Sequence, residues 1–274
     1  MSMKLILDSS ADLVTMESIP FGFAPLKLCT ADREFIDNEG LNVEEMVDFL
    51  FHYKGRSFSS CPNAEDFLKA FGEAEEIICI TITGNLSGSY NCACAAKKQY
   101  EASYPDRRVE VVDSLTAGPE VALMAEKVAE LYASHHSFEE IVEALRGYKT
   151  ELLFVLEAMK NLSNNGRVSR SAATMAGLLG IRAVGRASDE GTLELLTKSR
   201  GTLKTTTHVL DYLKQYGFKG GKLRIHHCFN EDYARTLSEA IVQAFPSAKI
   251  TLHPTRGLCS FYAERGGLLM GFEV

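Results

Sequence analysis

The stretch Glu76–Tyr90, EIICITITGNLSGSY, decides the fold class of this chain. Its first part, Glu76–Thr83, is a run of apolar and β-branched residues typical of a buried strand, and Ser89–Tyr100 has the pattern of a helix. The turn that joins them is rich in glycine and serine. A buried strand followed at once by a helix is the repeating unit of a parallel α/β sheet.

Outward from this unit, strands and helices alternate through the first half of the chain. Further strands are predicted at Lys4–Leu7 and Val109–Val112. Asn42, Asn63 and Ser137, each with an acidic residue three positions later, have the pattern of helix-capping residues. The alternation predicts a mostly parallel sheet with helices on both faces. One helix is predicted from about Ser10 and another over Glu120–Tyr132. Three more are predicted after the capping residues, from Asn42 to Phe51, from Asn63 to Phe71 and from Ser137 to about Tyr148.

The second half of the chain has fewer helices for each strand. This ratio predicts an α+β domain with a mixed or antiparallel sheet. We therefore predict two α/β domains, residues 1–150 and 151–274, with a boundary near Thr150. The predicted elements are the strands Thr192–Thr197, Lys222–Cys228 and Lys249–Leu252, a final apolar segment Gly267–Phe272, and the helices Ser171–Leu179, Leu203–Tyr216 and Glu231–Phe245.

Composition limits the classes of function. The chain has 274 residues, 46% of them hydrophobic, which is enough for a sizeable core. Its net charge of −7 argues against nucleic-acid binding, because nucleic-acid-binding proteins usually carry a basic surface. The stretch from Lys160 to Lys204 nevertheless has eight basic and three acidic residues. This local excess indicates either an anionic ligand or acidic partner, or only a solvated helix face.

The seven cysteines are odd in number and have no C-x-x-C spacing. They predict reduced, mostly buried thiols and argue against a disulfide scaffold or a zinc site. The apolar run Leu5–Leu7 is too short for a signal peptide, and no window reaches transmembrane length. We therefore expect a cytoplasmic protein without stable membrane insertion.

Candidate binding residues follow the predicted strands, because ligands of open parallel sheets bind beyond the strands' carboxyl ends. The loop Thr83–Tyr90 is the strongest candidate. Gly84 and Gly88 permit a close backbone approach, and Ser87 stands at the start of a helix, where free N–H groups favour an anion. Alternatively, Ser87 only caps the helix. The hydroxyl-rich loop Ser57–Pro62 is a second candidate.

Asp8 and Asp113 each end a predicted strand and are followed by serine. They are candidates for an acid/base pair, although an Asp-Ser pair at this place more often caps the next helix. An enzyme acting on a small carboxylate or phosphate metabolite, with Asp8, Ser87 or Asp113 in its site, is thus an alternative function. No histidine lies in a loop marked by these other signals, which argues against a Ser-His-Asp triad.

The stretch Ser171–Gly180, SAATMAGLLG, is rich in alanine and glycine and nearly free of polar side chains. It is typical of close helix packing, or of space left for an elongated apolar ligand.

Eight segments lie in order along the whole chain: LILDSSADL (5–13), FAPLKL (23–28), SSCPNAEDF (59–67), ITGNLSGSY (82–90), VVDSL (111–115), NLSNNGRVSRSAA (161–173), KSRG (198–201) and GGLLMGF (266–272). In this order and spacing they resemble the DegV family. The resemblance implies a long-chain fatty acid held between two domains, with its carboxylate on hydroxyl groups and its tail in an apolar tunnel. It also implies a carrier without chemistry or cofactor of its own, whose partner is a dihydroxyacetone-kinase-like fatty acid kinase. A binding module for a different ligand remains open.

The same resemblance implies individual residue roles. The family's Thr-Ser-Gln-Pro loop matches Ser59–Pro62, with Cys61 in place of glutamine, and Tyr262 stands where the family often has a histidine. Ligand contacts are expected from Ser59, Ser60, Thr83, Ser87, Gly88 and Tyr262. Kinase docking is expected at Arg167, Arg170 and Arg200, in the family's Gly-Arg and Lys-x-Arg-Gly segments.

Overall fold

A computed structural model of the chain describes residues 2–171 and 180–274, and its regular elements form three sheets and nine α-helices within these ranges. The strands are β1 Met3–Asp8, β2 Phe21–Ala24, β3 Lys27–Cys29, β4 Glu34–Ile36, β5 Phe58–Ser60, β6 Glu76–Thr81, β7 Arg108–Asp113, β8 Thr150–Leu156, β9 Ile181–Ala187, β10 Leu193–Arg200, β11 Gly221–His227, β12 Ala248–Pro254 and β13 Leu268–Glu273. The helices are α1 Val43–His52, α2 Ala64–Phe71, α3 Ser89–Ser103, α4 Pro119–Ala133, α5 Phe138–Gly147, α6 Lys160–Asn164, α7 Thr202–Gln215, α8 Glu231–Ala244 and α9 Gly257–Ala263.

The first sheet has the order β2-β1-β6-β7, and all its strands are parallel. Alternate residues of its central strands enter different cores, because successive side chains point to opposite faces. Leu5 packs with residues of α4 and α5, whereas Ile6 packs with Phe67 of α2 and Ala93 of α3. The predicted parallel sheet with helices on both faces is thereby confirmed.

The second sheet has the order β10-β9-β8-β13-β11-β12 and is mixed, since only its β11–β12 pair is parallel. This confirms the mixed sheet predicted for the second half. β13 follows every other strand in sequence yet lies in the middle of the sheet, between β8 and β11. A third, small antiparallel sheet of order β4-β3-β5 was not predicted.

The helix starts follow the capping signals in the sequence. Asn63 with Asp66 and Ser137 with Glu140 both form complete capping boxes, and the Asn42 side chain accepts a hydrogen bond from the Glu45 N–H. The helix predicted from about Ser10 was wrong, because only a 3-10 turn forms there, over residues 9–11. The turn ends at Asp12, whose φ of 58° cannot continue a right-handed helix.

Several elements were not predicted from the sequence, notably β2 to β5, β8, β9 and α9. Apart from Ser171, the predicted small-residue helix Ser171–Leu179 lies outside the described residues. Over the residues that are described, no helix combines the length and apolar character needed to cross a bilayer.

The helix α4 joins the two sheets. It contributes to the core beneath the parallel sheet and also lies against β13. The approach is close, because a Cβ atom added to Gly271 would lie 2.5 Å from the backbone nitrogen of Glu120. Glu120 is buried and accepts hydrogen bonds from the hydroxyls of Thr116 and Thr150. Burial raises the pKa of Glu120 to about 7, and the two hydrogen bonds oppose this rise.

Candidate functional site

A cavity of about 680 Å³, part of it open to solvent, lies between the two sheets. Ile82 and Leu86 line it from the first domain, and Leu152, Phe154 and Leu156 line it from β8. These β8 residues alternate with Leu153 and Val155, which face the opposite core, as the period of a strand requires. The cavity is thus lined mainly by apolar side chains.

Four polar side chains contribute to this wall: Ser59, Ser87, Arg167 and Tyr262. The hydroxyls of Ser59 and Tyr262 share a hydrogen bond of 2.7 Å. Arg167 is close enough to affect the ionisation of Tyr262. Ser87 belongs to the same group, because Gly88 beside it packs on Cys61 of the Ser59 loop. The polar groups therefore gather in one part of an otherwise apolar cavity.

Ser59 reaches the cavity from β5, which pairs with β3 so that Leu28 and Ser59 are partners. Tyr262 comes from α9 in the second domain. Burial raises the pKa of Tyr262, while the hydrogen bond with Ser59 and the positive charge of Arg167 oppose the rise. The hydroxyl is therefore protonated at neutral pH. Because one O–H of the pair is donated within the Ser59–Tyr262 hydrogen bond, the pair has one further O–H to donate to a ligand.

Ser87 ends the turn between β6 and α3. Its hydroxyl accepts a hydrogen bond of 3.3 Å from the Ser89 N–H, so it supports the start of the helix as well as lining the cavity. A serine hydroxyl that accepts in this way still has its own O–H to donate. Ser87 is not the capping residue that the sequence allowed, because Gly88 is the N-cap residue of α3 and no side-chain hydrogen bond caps this helix.

Arg167 follows a tight turn after α6. Gly166 has a φ of +72°, and the Arg167 N–H donates to the Leu162 carbonyl at 2.8 Å. One guanidinium nitrogen donates to the Asn165 carbonyl, whereas the buried Nε has no hydrogen-bond partner. Within the described residues the guanidinium forms no ion pair. A buried donor without a partner costs free energy, and an anionic ligand would remove that cost.

The other predicted ligand residues lie outside the cavity lining. The Ser60 hydroxyl contacts the Cys61 carbonyl at 3.5 Å, because neighbouring side chains of a strand point in opposite directions. The buried Thr83 hydroxyl accepts a hydrogen bond from the Asn85 N–H at 3.2 Å and so supports the loop. Gly88 provides space for Cys61. In the structure these three residues shape the loops that carry Ser59 and Ser87.

The structure places the three predicted docking arginines in two different environments. Arg170 and Arg200 are exposed, whereas Arg167 lies on the cavity wall, a position that differs from the docking face on which the sequence placed it. The positive stretch is also partly neutralised. Arg182 pairs with Glu157, and Arg186 pairs with three carboxylates, those of Glu151, Asp189 and Glu194.

Asp8 and Asp113, the candidates for an acid/base pair, bind backbone instead of facing the cavity. Asp8 accepts hydrogen bonds from the N–H groups of Ser10 and Ile82 and from two serine hydroxyls. Burial raises its pKa, and these hydrogen bonds oppose the rise. Asp113 accepts from the N–H groups of Gly84 and Leu115. Capping and loop support account for both carboxylates.

The cysteines are free thiols, as predicted, but they are less buried than predicted. Cys79, Cys228 and Cys259 are buried, while Cys29, Cys61, Cys92 and Cys94 are partly accessible. Among the described residues, no group of three or more His, Cys, Asp or Glu side chains is placed to hold a metal ion.

Sequence reasoning missed two features of the cavity. The run TELLFVL at 150–156 supplies one wall, and its length and apolar content were the available signal for a buried strand. Arg167 was recognised, but its burial depends on the turn at Gly166 and on packing across the domains. No pattern in the local sequence indicates that packing.

Comparisons with known proteins agree with this architecture. The model of the DegV family, described as uncharacterised proteins, matches residues 2–272. A DegV domain-containing protein of Streptococcus pneumoniae is 45% identical, with both chains covered in full.

Two solved structures are similar over nearly their whole length. One is a DegV family protein from Eubacterium eligens loaded with heptadecanoic acid, with 39% identity, a TM-score of 0.97 and 99% of each chain covered. The other is the Streptococcus pneumoniae Fatty Acid Kinase (Fak) B3 protein loaded with linoleic acid, with 45% identity, a TM-score of 0.97 and both chains covered in full. The chain therefore belongs to the DegV family.

Proposed function

We propose that this protein binds one long-chain fatty acid between its two domains and presents the carboxylate to a fatty acid kinase. The observation that carries the proposal is the composition of the cavity: an apolar space whose few polar groups include the unpartnered Arg167 Nε. An amphiphile with one anionic end and a long apolar tail matches both parts of such a wall.

The carboxylate is placed beside Ser59, Ser87, Arg167 and Tyr262. Two oxygens with several lone pairs can accept from the Ser87 O–H, from the Ser59–Tyr262 pair and from the Arg167 Nε at the same time. Hydrogen bonds between ionised groups are shorter and stronger than neutral ones. Ser60, Thr83 and Gly88 contribute by holding the two loops in position.

The tail is placed along the walls formed by β8 and the apolar side chains of Ile82, Leu86 and Leu269. Burial of each methylene group contributes about 0.8 kcal/mol, so a long chain supplies most of the binding free energy. The related proteins loaded with heptadecanoic acid and with linoleic acid support a ligand of this length.

Extraction of the ligand tests this proposal. The purified protein is denatured, the organic extract is analysed by mass spectrometry, and the delipidated protein is then incubated with a long-chain fatty acid. We expect about one fatty acid per chain in the extract or after uptake. A well-folded preparation that holds no lipid and takes up none would contradict fatty-acid binding.

The exposed Arg170 and Arg200 are the proposed docking residues for a dihydroxyacetone-kinase-like subunit. Charges at an exposed rim mainly set the association rate and the choice of partner, with a strong dependence on salt. Arg200→Glu should therefore slow acyl phosphorylation by an added kinase subunit, with lipid binding and thermal stability nearly intact. Lys219→Glu, which changes an exposed cation beside β11, is the control. Loss of lipid with normal kinase association would instead assign Arg200 to the cavity.

A further inference from the structure

The thiols of Cys61 and Cys92 lie next to each other at the edge of the head-group loops. Cys61 precedes α2 by three residues, and Cys92 is in the first turns of α3. A Cβ atom added to Gly88 would lie 3.1 Å from the Cys61 sulfur. Because Gly88 has no side chain, this thiol can rest directly on the start of α3.

Cys92 is four residues after Gly88, and its N–H donates to the Gly88 carbonyl at 3.0 Å. Side chains of a helix tilt towards its N-terminus, so a residue covers the turn before its own Cα. The Cys92 thiol is therefore directed over Gly88, where the Cys61 sulfur already lies. Burial and then interaction with the neighbouring Cys61 thiol raise the pKa of Cys92, which agrees with this contact.

Both residues are partly accessible, which a thiol needs in order to meet an oxidant. The other partly accessible cysteines differ in their surroundings: Cys94 interacts with Tyr90, and Cys29 interacts with Glu34 and Lys27. Cys61 and Cys92 thus form a pair of partly accessible thiols on neighbouring segments.

We propose that Cys61 and Cys92 form a reversible disulfide under peroxide and that this bond locks the loops that hold the ligand carboxylate. Cys61 is two residues after Ser59, and Cys92 is five residues after Ser87. A covalent bond between them fixes the distance between the two segments that carry these hydroxyls. The effect on the ligand rests on the proposed fatty-acid binding, whereas formation of the disulfide does not.

The chemistry needs only hydrogen peroxide as oxidant. The Cys61 thiolate attacks one peroxide oxygen, the O–O bond breaks, and the sulfur becomes a sulfenic acid while the other oxygen leaves as water after protonation. The Cys92 thiol loses its proton and attacks that sulfur as its thiolate. The S–S bond forms, the S–O bond breaks and a second water leaves. Two thiols are oxidised and one peroxide is reduced to two waters.

The experiment treats the reduced, fatty-acid-loaded protein with hydrogen peroxide and maps the products by peptide mass spectrometry without reduction. We expect a Cys61–Cys92 cross-linked peptide that dithiothreitol removes and that Cys61→Ser or Cys92→Ser abolishes. Cys94→Ser is the matched control, and it should keep the cross-link. Transfer of labelled fatty acid to acceptor vesicles should be about 3- to 10-fold slower in the oxidised protein, and reduction should restore the rate.

Separate oxidation of the two thiols to sulfinic acid, or cross-links that prefer other cysteines, would overturn the proposal. An unchanged transfer rate in fully cross-linked protein would also overturn it, because the bond would then not lock the loops. If instead the cross-link forms and neither state binds fatty acid, the fatty-acid function fails while the disulfide assignment stands.

Discussion

The strand-end loops and the cavity wall both hold charged groups away from solvent, Asp8 fully buried and Arg167 half-buried, but these two groups have different partners. At the end of β1, the Asp8 carboxylate accepts four hydrogen bonds from nearby N–H and O–H groups. On the cavity wall, the Arg167 guanidinium has a buried Nε without any partner and, among the described residues, no carboxylate beside it.

Under the proposed function, the difference separates charges that hold the fold from a charge that binds the ligand. A saturated carboxylate has no lone pair left for chemistry, and its removal leaves several buried donors without acceptors. An unsaturated guanidinium destabilises the empty protein and gains its partner only on binding. Mutations in the first region should therefore change stability, and mutations in the second should change affinity.

The largest effect is expected from Asp8→Ala. The Ile82 N–H and the Ser10 and Ser89 groups lose their acceptor in a fully buried place, so the free energy of unfolding should fall by about 4 kcal/mol. Urea unfolding followed by circular dichroism measures this. Asp106→Ala, an exposed aspartate in a turn, is the control and should change little. An equal loss in both variants would remove the distinction between the two regions.

Replacement of Arg167 by methionine should act on binding. The ligand carboxylate would lose its charged partner, and we expect fatty-acid affinity to fall by about 3 kcal/mol, or more than 100-fold, with no loss of stability in the ligand-free protein. Titration with a fluorescent fatty acid measures the affinity. Arg170→Met, three residues away and exposed, should bind normally. Unaltered binding by the Arg167 variant would show that the carboxylate lies elsewhere.

Glu120 is an intermediate case, because its two hydroxyl donors do not offset its burial. Its pKa is about 7 in the folded protein against an ordinary 4.5, so between these values the folded state keeps a proton that the unfolded state releases. Stability should thus fall as pH rises through this window, by about 2–3 kcal/mol between about pH 5 and about pH 8. Glu120→Gln should flatten the dependence by that amount. Parallel urea curves at the two pH values for both proteins decide this.

The smallest effect is expected from Ser59→Ala. Loss of one hydroxyl donor to a charged group should weaken fatty-acid binding by about 2 kcal/mol. The neighbouring variant Ser60→Ala is a close control, since that hydroxyl lies outside the cavity. Isothermal titration of the two variants provides the comparison, and equal affinities would exclude Ser59 as a head-group ligand.

Local patterns were sufficient for much of the fold. The apolar run at β6 and the capping residues Asn63 and Ser137 depend on interactions within a few residues, so the sequence revealed them directly. The small sheet of β3, β4 and β5 has three-residue strands, which are too short to show a period. Its strands exist because β3 finds partners on both sides.

The candidate site was predictable in part for the same reason. Ser87 follows a recognisable strand and begins a helix, and these are local signals. The contact between Ser59 and Tyr262 joins residues 203 positions apart, and only the packing of the two domains brings them together. Whether Ser59 or Ser60 faces the cavity depends on the register of β5 against β3, which a three-residue strand does not reveal.

The central place of β13 has a consequence for protein synthesis. The strands of the parallel sheet have all been translated by residue 113, so this sheet can assemble while the ribosome is still working. The mixed sheet forms later, because β8 and β11 remain unjoined until residues 268–273 have left the exit tunnel. During that interval the apolar edges of β8 and β11 are exposed to chaperones and to other nascent chains. Emergence of β13 from the exit tunnel, and not the order of the helices, therefore times the closure of the cavity.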